Sequence, residues 1–230
     1  MTVGLNRSYS EGLIETFGFA QNMLQATFAC LLWIDRDLNI EEAQREGLPQ
    51  AMSDEWYGGC YRYDPLHPAR LTERRERVAF LQRERAKQSA TAKSIHTDFM
   101  SRYGIVDEVD FLLWRDDRPF AVFCAMKCVD DPPLEIDCFQ WETMHRHLEF
   151  LLLQHPMARE VRKDEVLTDK FSLTAREIEV LGLLQIGASN AKIADVMGIA
   201  VATVKTYVVN ILNKLGVDNR FAAAAYVSAI

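Results

Sequence analysis

The chain of 230 residues carries 26 Lys and Arg against 33 Asp and Glu, a formal net charge of −7, and 49% of it is apolar. That balance excludes disordered, collagen-like and mucin-like chains, and it argues against nonspecific coating of nucleic acid or of an anionic membrane. Five cysteines (Cys30, Cys60, Cys124, Cys128 and Cys138) without knuckle-type pairs, and an N-terminus lacking a basic segment followed by an apolar one, predict a cytoplasmic protein with reduced thiols.

The uncharged stretch Thr16 to Ile34 has the length of a membrane span. Gly18, Gln21, Asn22, Gln25 and Thr27 would be costly in lipid, so no membrane partner is expected. Ser10 precedes a predicted helix from Glu11 to about Ala26, with Leu13, Phe17, Ala20 and Leu24 along one face. Cys30 to Ile34 reads as a strand ending in a turn over Asp35 to Asn39. Ser53-Asp54-Glu55-Trp56 starts a short helix, and Asp64-Pro65-Leu66-His67-Pro68 is a rigid loop. Between Arg70 and Lys87 basic and acidic residues interleave and cancel, which predicts a solvated face.

Thr91 to Tyr103 has helical spacing and closes on Gly104. Ile105 to Trp114 and Pro119 to Cys128 are predicted strands joined as a hairpin by Arg115-Asp116-Asp117-Arg118. In the second strand both alternate sets, Phe120, Val122, Cys124, Met126 and Ala121, Phe123, Ala125, are apolar. Both sheet faces are therefore expected to be covered, which allows a closed pocket between sheet and helices. A helix from Leu134 to Gln154 ends at His155-Pro156, and Ala158 to Lys170, with eight of thirteen residues charged, reads as a solvated linker. The fold class expected is thus α+β over residues 1–160, helices flanking an antiparallel sheet, then a linker over 161–170 and a small all-α four-helix domain over 171–230.

The last sixty residues carry the sharpest pattern, and their net charge is +1 against −8 for the remainder. Thr174 and Glu177 form a capping box ahead of a helix with Ile178, Leu181 and Leu184 on one face. Gly187-Ala188-Ser189 stops it, and Ser189 caps a short helix that Gly198 ends. Val201, Val204, Val208, Ile211 and Leu215 then repeat at helical intervals up to Gly216, and Asn219 caps a fourth helix, Arg220 to Ala229. A short helix, a tight turn and a longer helix with a distinct outer face is the outline of a helix-turn-helix. Its outer positions, Ala202, Lys205, Thr206, Val209, Asn210 and Asn213, suit a major groove: Lys205 for phosphate or guanine acceptors, Thr206 or Asn210 for hydrogen bonds, Val209 for a thymine methyl.

Leu173-Thr174-x-Arg176-Glu177-x-Glu179-Val180-Leu181, Gly187-x-Ser189-Asn190, Ile193-Ala194, Thr203-Val204-Lys205, Asn210-Ile211 and Lys214-Leu215-Gly216-Val217-x-Asn219-Arg220 closely resemble the LuxR-type helix-turn-helix domain of bacterial transcription factors. The resemblance implies a four-helix DNA-binding domain whose third helix enters the major groove, in a dimeric regulator that contacts RNA polymerase if it activates. By position, Lys205, Thr206 and Val209 fall where that family contacts bases and backbone, with Thr203 and Asn210 nearby and Lys192 on the preceding helix. Ala200 departs from the usual Ser cap, Ala191-Lys192 from a basic-then-Glu pair, and Tyr207 from a frequent His. A domain charge of +1 releases few counterions, so one copy should bind DNA weakly and two copies on a paired operator more strongly. Phe221, Ala225 and Ser228 on the fourth helix offer a dimer surface.

The order of elements over residues 1–160 resembles sensor domains of the PAS and GAF type and the ligand domain of LuxR-type regulators, as do Tyr61-Arg62-Tyr63-Asp64-Pro65-Leu66 and Phe99-Met100-x-x-Tyr103-Gly104-Ile105. An acyl-homoserine lactone receptor is a special case matched only in part, because Trp56 and Tyr61 are five apart where that group has its Tyr four residues on, and Asp64-Pro65 follows Tyr61 by three residues where that group has about nine. The effector expected is a small, partly apolar molecule. Candidate ligand residues are Tyr61, Asp64, Trp56, Tyr57, Trp33, Phe111, Trp114 and Phe123, core packing being the commoner role for any single aromatic among them. Tyr61 and Asp64 lead, as a hydroxyl and a carboxylate beside a proline-stiffened loop.

No Gly-rich phosphate loop, nucleophile elbow or His/Glu metal pair is present, so no catalytic residue, metal ligand or cofactor is expected. His145 and His147 point apart on a helix and cannot chelate, even with Cys138 near in sequence, and Cys124 and Cys128 are expected to pack as small hydrophobes. A phospho-receiver domain is disfavoured, because Asp35 and Asp37 follow a long opening helix and no later Asp ends the third strand of an alternating strand-and-helix order. The alternatives left open are a LuxR-type DNA-binding protein that senses nothing, or one governed by a partner protein or phosphorylation.

Overall fold

The computed structural model describes residues 7–35, 37–134 and 140–228 and divides into two compact units, Met1–Ala158 and Arg159–Ile230.

The first unit is an antiparallel sheet between two helical layers. Its strands are β1 (Phe28–Ile34), β2 (Ile40–Glu46), β3 (Val78–Phe80), β4 (Ile105–Arg115) and β5 (Arg118–Cys128), in the order β2-β1-β5-β4-β3. The β4–β5 hairpin closes over Asp116 and Asp117, Asp116 taking a left-handed φ of 53°. Side chains alternate between the faces. Ala29, Leu31 and Trp33 of β1, Val109, Phe111 and Leu113 of β4, and Ala121, Phe123 and Ala125 of β5 enter one core with Phe17, Ala20 and Leu24 of α1 (Arg7–Leu24) and Leu148 and Leu152 of α6 (Gln140–Leu153). Cys30, Leu32, Ile34, Leu112, Trp114, Val122, Cys124 and Met126 enter the other. There they meet α2 (Gln50–Tyr57), a 3₁₀ turn (Cys60–Tyr63), α3 (Pro68–Glu73), α4 (Leu81–Arg85) and α5 (Ala90–Arg102), through Met52, Leu71, Leu81, Phe99 and Met100.

Phe120 departs from the predicted alternation by joining the core of Phe123, and the register shift between Leu113 and Trp114 opposite it supplies the reason.

Two expectations need correction, and one strand was not foreseen. The charged run from Arg70 to Lys87 is not simply a solvated face: β3 and α4 lie within it, Phe80 and Leu81 are buried, and buried Glu84 takes ion pairs from Arg74 at 2.5 Å and Lys87 at 2.6 Å. β2 had no sequence signal, being a polar strand on the sheet edge with a half-buried pattern. The segment 161–170 is helical, belonging to α7 (Pro156–Asp169), and Leu167 sits in the core of the second unit. Proline at a helix start costs nothing, so His155-Pro156 begins α7 instead of opening an unstructured linker. The predicted helix start at Leu134 adjoins residues 135–139, and these, with Cys138, Arg36 and Ala229, lie outside the described residues.

The second unit contains α8 (Ala175–Gln185), α9 (Asn190–Met197), α10 (Val201–Leu215) and α11 (Arg220–Ser228) around Val180, Leu181, Leu184, Ile193, Val204, Ile211, Leu215, Ala223 and Val227. The caps are those the sequence names. The Thr174 hydroxyl accepts from the Glu177 amide and the Glu177 carboxylate accepts from the Thr174 amide at 2.8 Å. Ser189 accepts from the Lys192 amide, and Asn219 from the amides of Phe221 and Ala222.

Glu177 is buried and also accepts from Lys214 Nζ at 2.6 Å, tying α8 to α10. Burial pushes its carboxyl up, but Lys214 and Thr174 outweigh burial and hold it below the ordinary value of 4.5. This stabilisation is therefore complete above that value and is lost as pH falls through the lowered one. Glu177→Gln should flatten the acid limb: between about pH 6 and about pH 3 the thermal midpoint of the second unit should fall less in the variant than in the parent. An equal fall would show that the pair does not govern acid unfolding.

Candidate DNA-binding face and effector cavity

α9 and α10 are joined by Gly198, Ile199 and Ala200 and bend by 110° at the break, within the range of a helix-turn-helix. Gly198 makes the turn possible with φ 65°, ψ 34°, and its amide closes on the Ala194 carbonyl. Val204, Ile211 and Leu215 are buried and Val208 half-buried, while Val201, in the first turn, is 42% exposed. That inward stripe turns the opposite face to solvent. Thr203, Lys205, Thr206, Val209 and Asn210 are all exposed on it, as is Lys192 on α9. Val209, at 55%, is an uncovered apolar side chain amid polar ones. Thr206 Oγ1 donates to its own helix at Ala202, and Lys192 pairs with Asp195 at 3.1 Å. Lys192 must leave that pair to reach a phosphate, and at an exposed i,i+3 pair the cost is below about 0.5 kcal/mol.

In the first unit a cavity of about 60 Å³ lies between the sheet and α2, walled by Leu32, Leu48, Met52, Trp56, Val122 and Met126. Three of the eight sequence candidates line it: Trp56, Tyr57 and Asp64. Trp56 Nε1 donates to Asp64 Oδ2 at 3.0 Å, and Asp64 Oδ1 accepts from the Leu66 amide at 2.8 Å. Tyr61 stands outside, its ring 5.9 Å from Trp56 and 5.7 Å from His67. Burial and the neighbouring Glu42 carboxylate push the Tyr57 phenol up to about 12, so it stays a hydrogen-bond donor at the rim.

The remaining candidates lie elsewhere. Trp33, Phe111 and Phe123 are on the opposite sheet face, packed with α1 and α6. Trp114 shares the cavity's face but does not line the cavity, and its indole donates to the Glu76 carbonyl at 3.0 Å.

What the sequence reading missed is the cavity's polar floor. Cys30, Asp110 and Cys124 face one another directly across β1, β5 and β4, and Glu108 lies two residues along β4 from Asp110. Burial, the largest cause, and the Asp64 charge push both carboxyls well above the ordinary carboxylate range, and the Asp110 charge raises Glu108 further. The legible signal was three acids, Asp107, Glu108 and Asp110, inside a strand otherwise apolar on both faces. A second hollow of about 580 Å³ is bounded by Leu134 and Gln140, and the residues connecting these two lie outside the described ones.

Residues 171–227 match the family model of bacterial regulatory proteins of the luxR family. They form a LuxR-family helix-turn-helix domain. The transcriptional regulatory protein LiaR of Bacillus subtilis (strain 168) is 47% identical over 55 residues, which make up 24% of this chain and 26% of that protein. The match thus spans about a quarter of that relative's length. The solved structure of Escherichia coli SdiA is 18% identical at a TM-score of 0.47, covering 100% of this chain and 91% of that one. SdiA in complex with octanoyl-rac-glycerol is 16% identical at 0.48, covering 100% and 89%.

The LuxR-type domain departs from its family's pattern at the start of α10, where Ala200 is the N-cap and provides no side-chain hydrogen bond. With ψ at 146° its backbone already has the extended cap conformation. Ala200→Ser should therefore stabilise this unit by about 1 kcal/mol, read as a raised thermal midpoint. No gain would mean that the free amides of α10 are satisfied in another way.

Proposed function

We propose that the protein is a cytoplasmic, ligand-responsive transcription regulator that binds a paired DNA operator as a homodimer. The observation that carries this reading is α10 itself: a helix packed by one stripe in a LuxR-family domain, with Lys205, Thr206, Val209 and Asn210 left uncovered on the other. Its side chains offer an ammonium for phosphate or guanine, an amide and a hydroxyl for base edges, and a methyl surface for thymine. Phe221, 78% exposed on α11, with exposed Ala225 on the same helix, supplies an apolar patch for the second copy.

The effector is a small, partly apolar molecule entering the cavity of the first unit, with Trp56, Tyr57 and Asp64 as its polar contacts; an acyl-homoserine lactone is one molecule of that kind. The walls support this reading, being apolar with a few convergent polar groups. A void of about 60 Å³ is smaller than the roughly 300 Å³ at which drug-sized pockets begin, so α2 must yield to admit a ligand. Gly59 follows α2 with φ 146°, a conformation open to glycine, and gives the chain a hinge there. The same small void favours a second reading, a DNA-binding protein that takes no organic ligand.

Native mass spectrometry of the full chain, followed by operator titration, separates the two. A dimer with a retained organic mass, or one whose operator affinity changes with an added effector, supports the first reading. A dimer binding its operator equally through a broad ligand screen supports the second, and a monomer on operator DNA overturns the dimer.

A further inference from the structure

Four groups on the cavity floor have no part in DNA binding or in holding an apolar effector. Among the described residues, Glu108, Asp110 and Cys124 are the group whose donor atoms all lie within 4.8 Å of one another, and all three are buried. Asp110 is 3% exposed, lines the cavity, and its Oδ1 has no hydrogen-bond partner. A buried carboxylate oxygen without a donor costs free energy that a bound cation would recover. Cys30 lies directly opposite Cys124 across β1–β5 and lines the same cavity.

We propose that Glu108, Asp110 and Cys124, with Cys30 as the fourth donor, form a site for a divalent transition metal of the zinc class. Two carboxylates alone would suit a hard ion such as magnesium, and the thiols shift the preference towards a borderline one. Bonds of about 2.0 to 2.3 Å in a tetrahedron place donors roughly 3.3 to 3.8 Å apart. For Glu108, Asp110 and Cys124, within 4.8 Å of one another, the separations need to shrink by about 1 to 1.5 Å, within the reach of side-chain rotation, and Cys30 would have to turn towards them. The donors come from three adjacent strands of a sheet buried on both faces, so the site is rigid in its backbone. Binding would release protons from the thiols and acids as the metal takes their place, so uptake should fall at lower pH. An ion at this place would present its charge to the cavity beside Asp64 and Trp56 and could anchor a donor atom of an effector.

The test uses full-length protein stripped with a chelator, incubated with Co²⁺ or Zn²⁺ alone and desalted. The expected result is one equivalent of metal per chain by elemental mass spectrometry, and a thiolate-to-cobalt charge-transfer absorption in the cobalt form. Replacing both thiols, Cys30→Ser together with Cys124→Ser, should abolish that absorption, and Asp110→Asn, a near-isosteric change, should lower the metal content at least tenfold. Cys128→Ser, at the strand end outside the cluster, should leave both unchanged. Retention well below one equivalent, or a charge-transfer band that survives the loss of both Cys30 and Cys124 thiols, would overturn the proposal. The DNA reading fails or stands separately, since it is tested on α10 with the metal stripped.

Discussion

Lys205→Glu is expected to cut operator affinity by roughly 30- to 10⁴-fold while leaving the folded protein and its subunit number unchanged. The magnitude follows from one lost contact of about 1 to 3 kcal/mol per copy, taken twice for a dimer. Lys205 is exposed on the side of α10 opposite Val204, Ile211 and Leu215, so the substitution removes no packing. Glutamate also has nearly the same helix propensity as lysine. The salt dependence is a second signature, because a lost phosphate contact lowers the slope of log affinity against log salt by about one per copy. Fluorescence anisotropy on the operator at several salt concentrations, with sedimentation for the subunit number, reads both. Unchanged affinity would place DNA on another face of the domain.

Phe123→Ala should destabilise the first unit by about 3 to 5 kcal/mol and leave the second untouched. Phe123 is fully buried at the centre of β5, between β1 and β4, with its ring 5.5 Å from Phe17 edge-on and 6.2 Å from Phe111. Truncation leaves a void among Leu31, Phe17 and Phe111 in a layer that joins the sheet to α1. For a unit with a total stability of about 5 to 15 kcal/mol, that loss approaches unfolding. Denaturation followed with a probe in each unit should show one transition displaced and the other fixed. Were Phe123 a ligand contact instead, the variant would keep its stability and lose effector affinity alone.

Legibility in the sequence follows the range of the interactions. The second unit could be read nearly to the residue because its boundaries are local: Thr174 and Ser189 cap helix starts, Gly198 and Gly216 take the left-handed conformation at helix ends, and Asn219 caps α11. In the first unit the β4–β5 hairpin was visible for the same reason. β2 was not, since Ile40–Glu46 is held by pairing with β1 and has little apolar pattern of its own. α7 was hidden by its charge, which marks a solvated helix face as readily as a linker.

The cavity was legible in part. Trp56, Tyr57 and Asp64 are close in sequence, and one loop brings them together. Trp33, Phe111 and Phe123 failed as cavity residues through strand parity: Phe111 and Asp110 are neighbours in the chain but stand on opposite faces of β4. The floor required knowing that Cys30, Cys124 and Asp110 fall in register across three strands, which no spacing along the chain displays.

The account rests most heavily on α10 as the element that reads DNA, and footprinting tests that most directly. The full-length protein would be placed on a duplex selected by it from a random pool, and the protected backbone mapped by hydroxyl-radical cleavage. Two protected half-sites about one helical turn apart, related by two-fold symmetry and lost in Lys205→Glu, are predicted. A footprint that survives Lys205→Glu intact, or no sequence-selective protection at all, would contradict it.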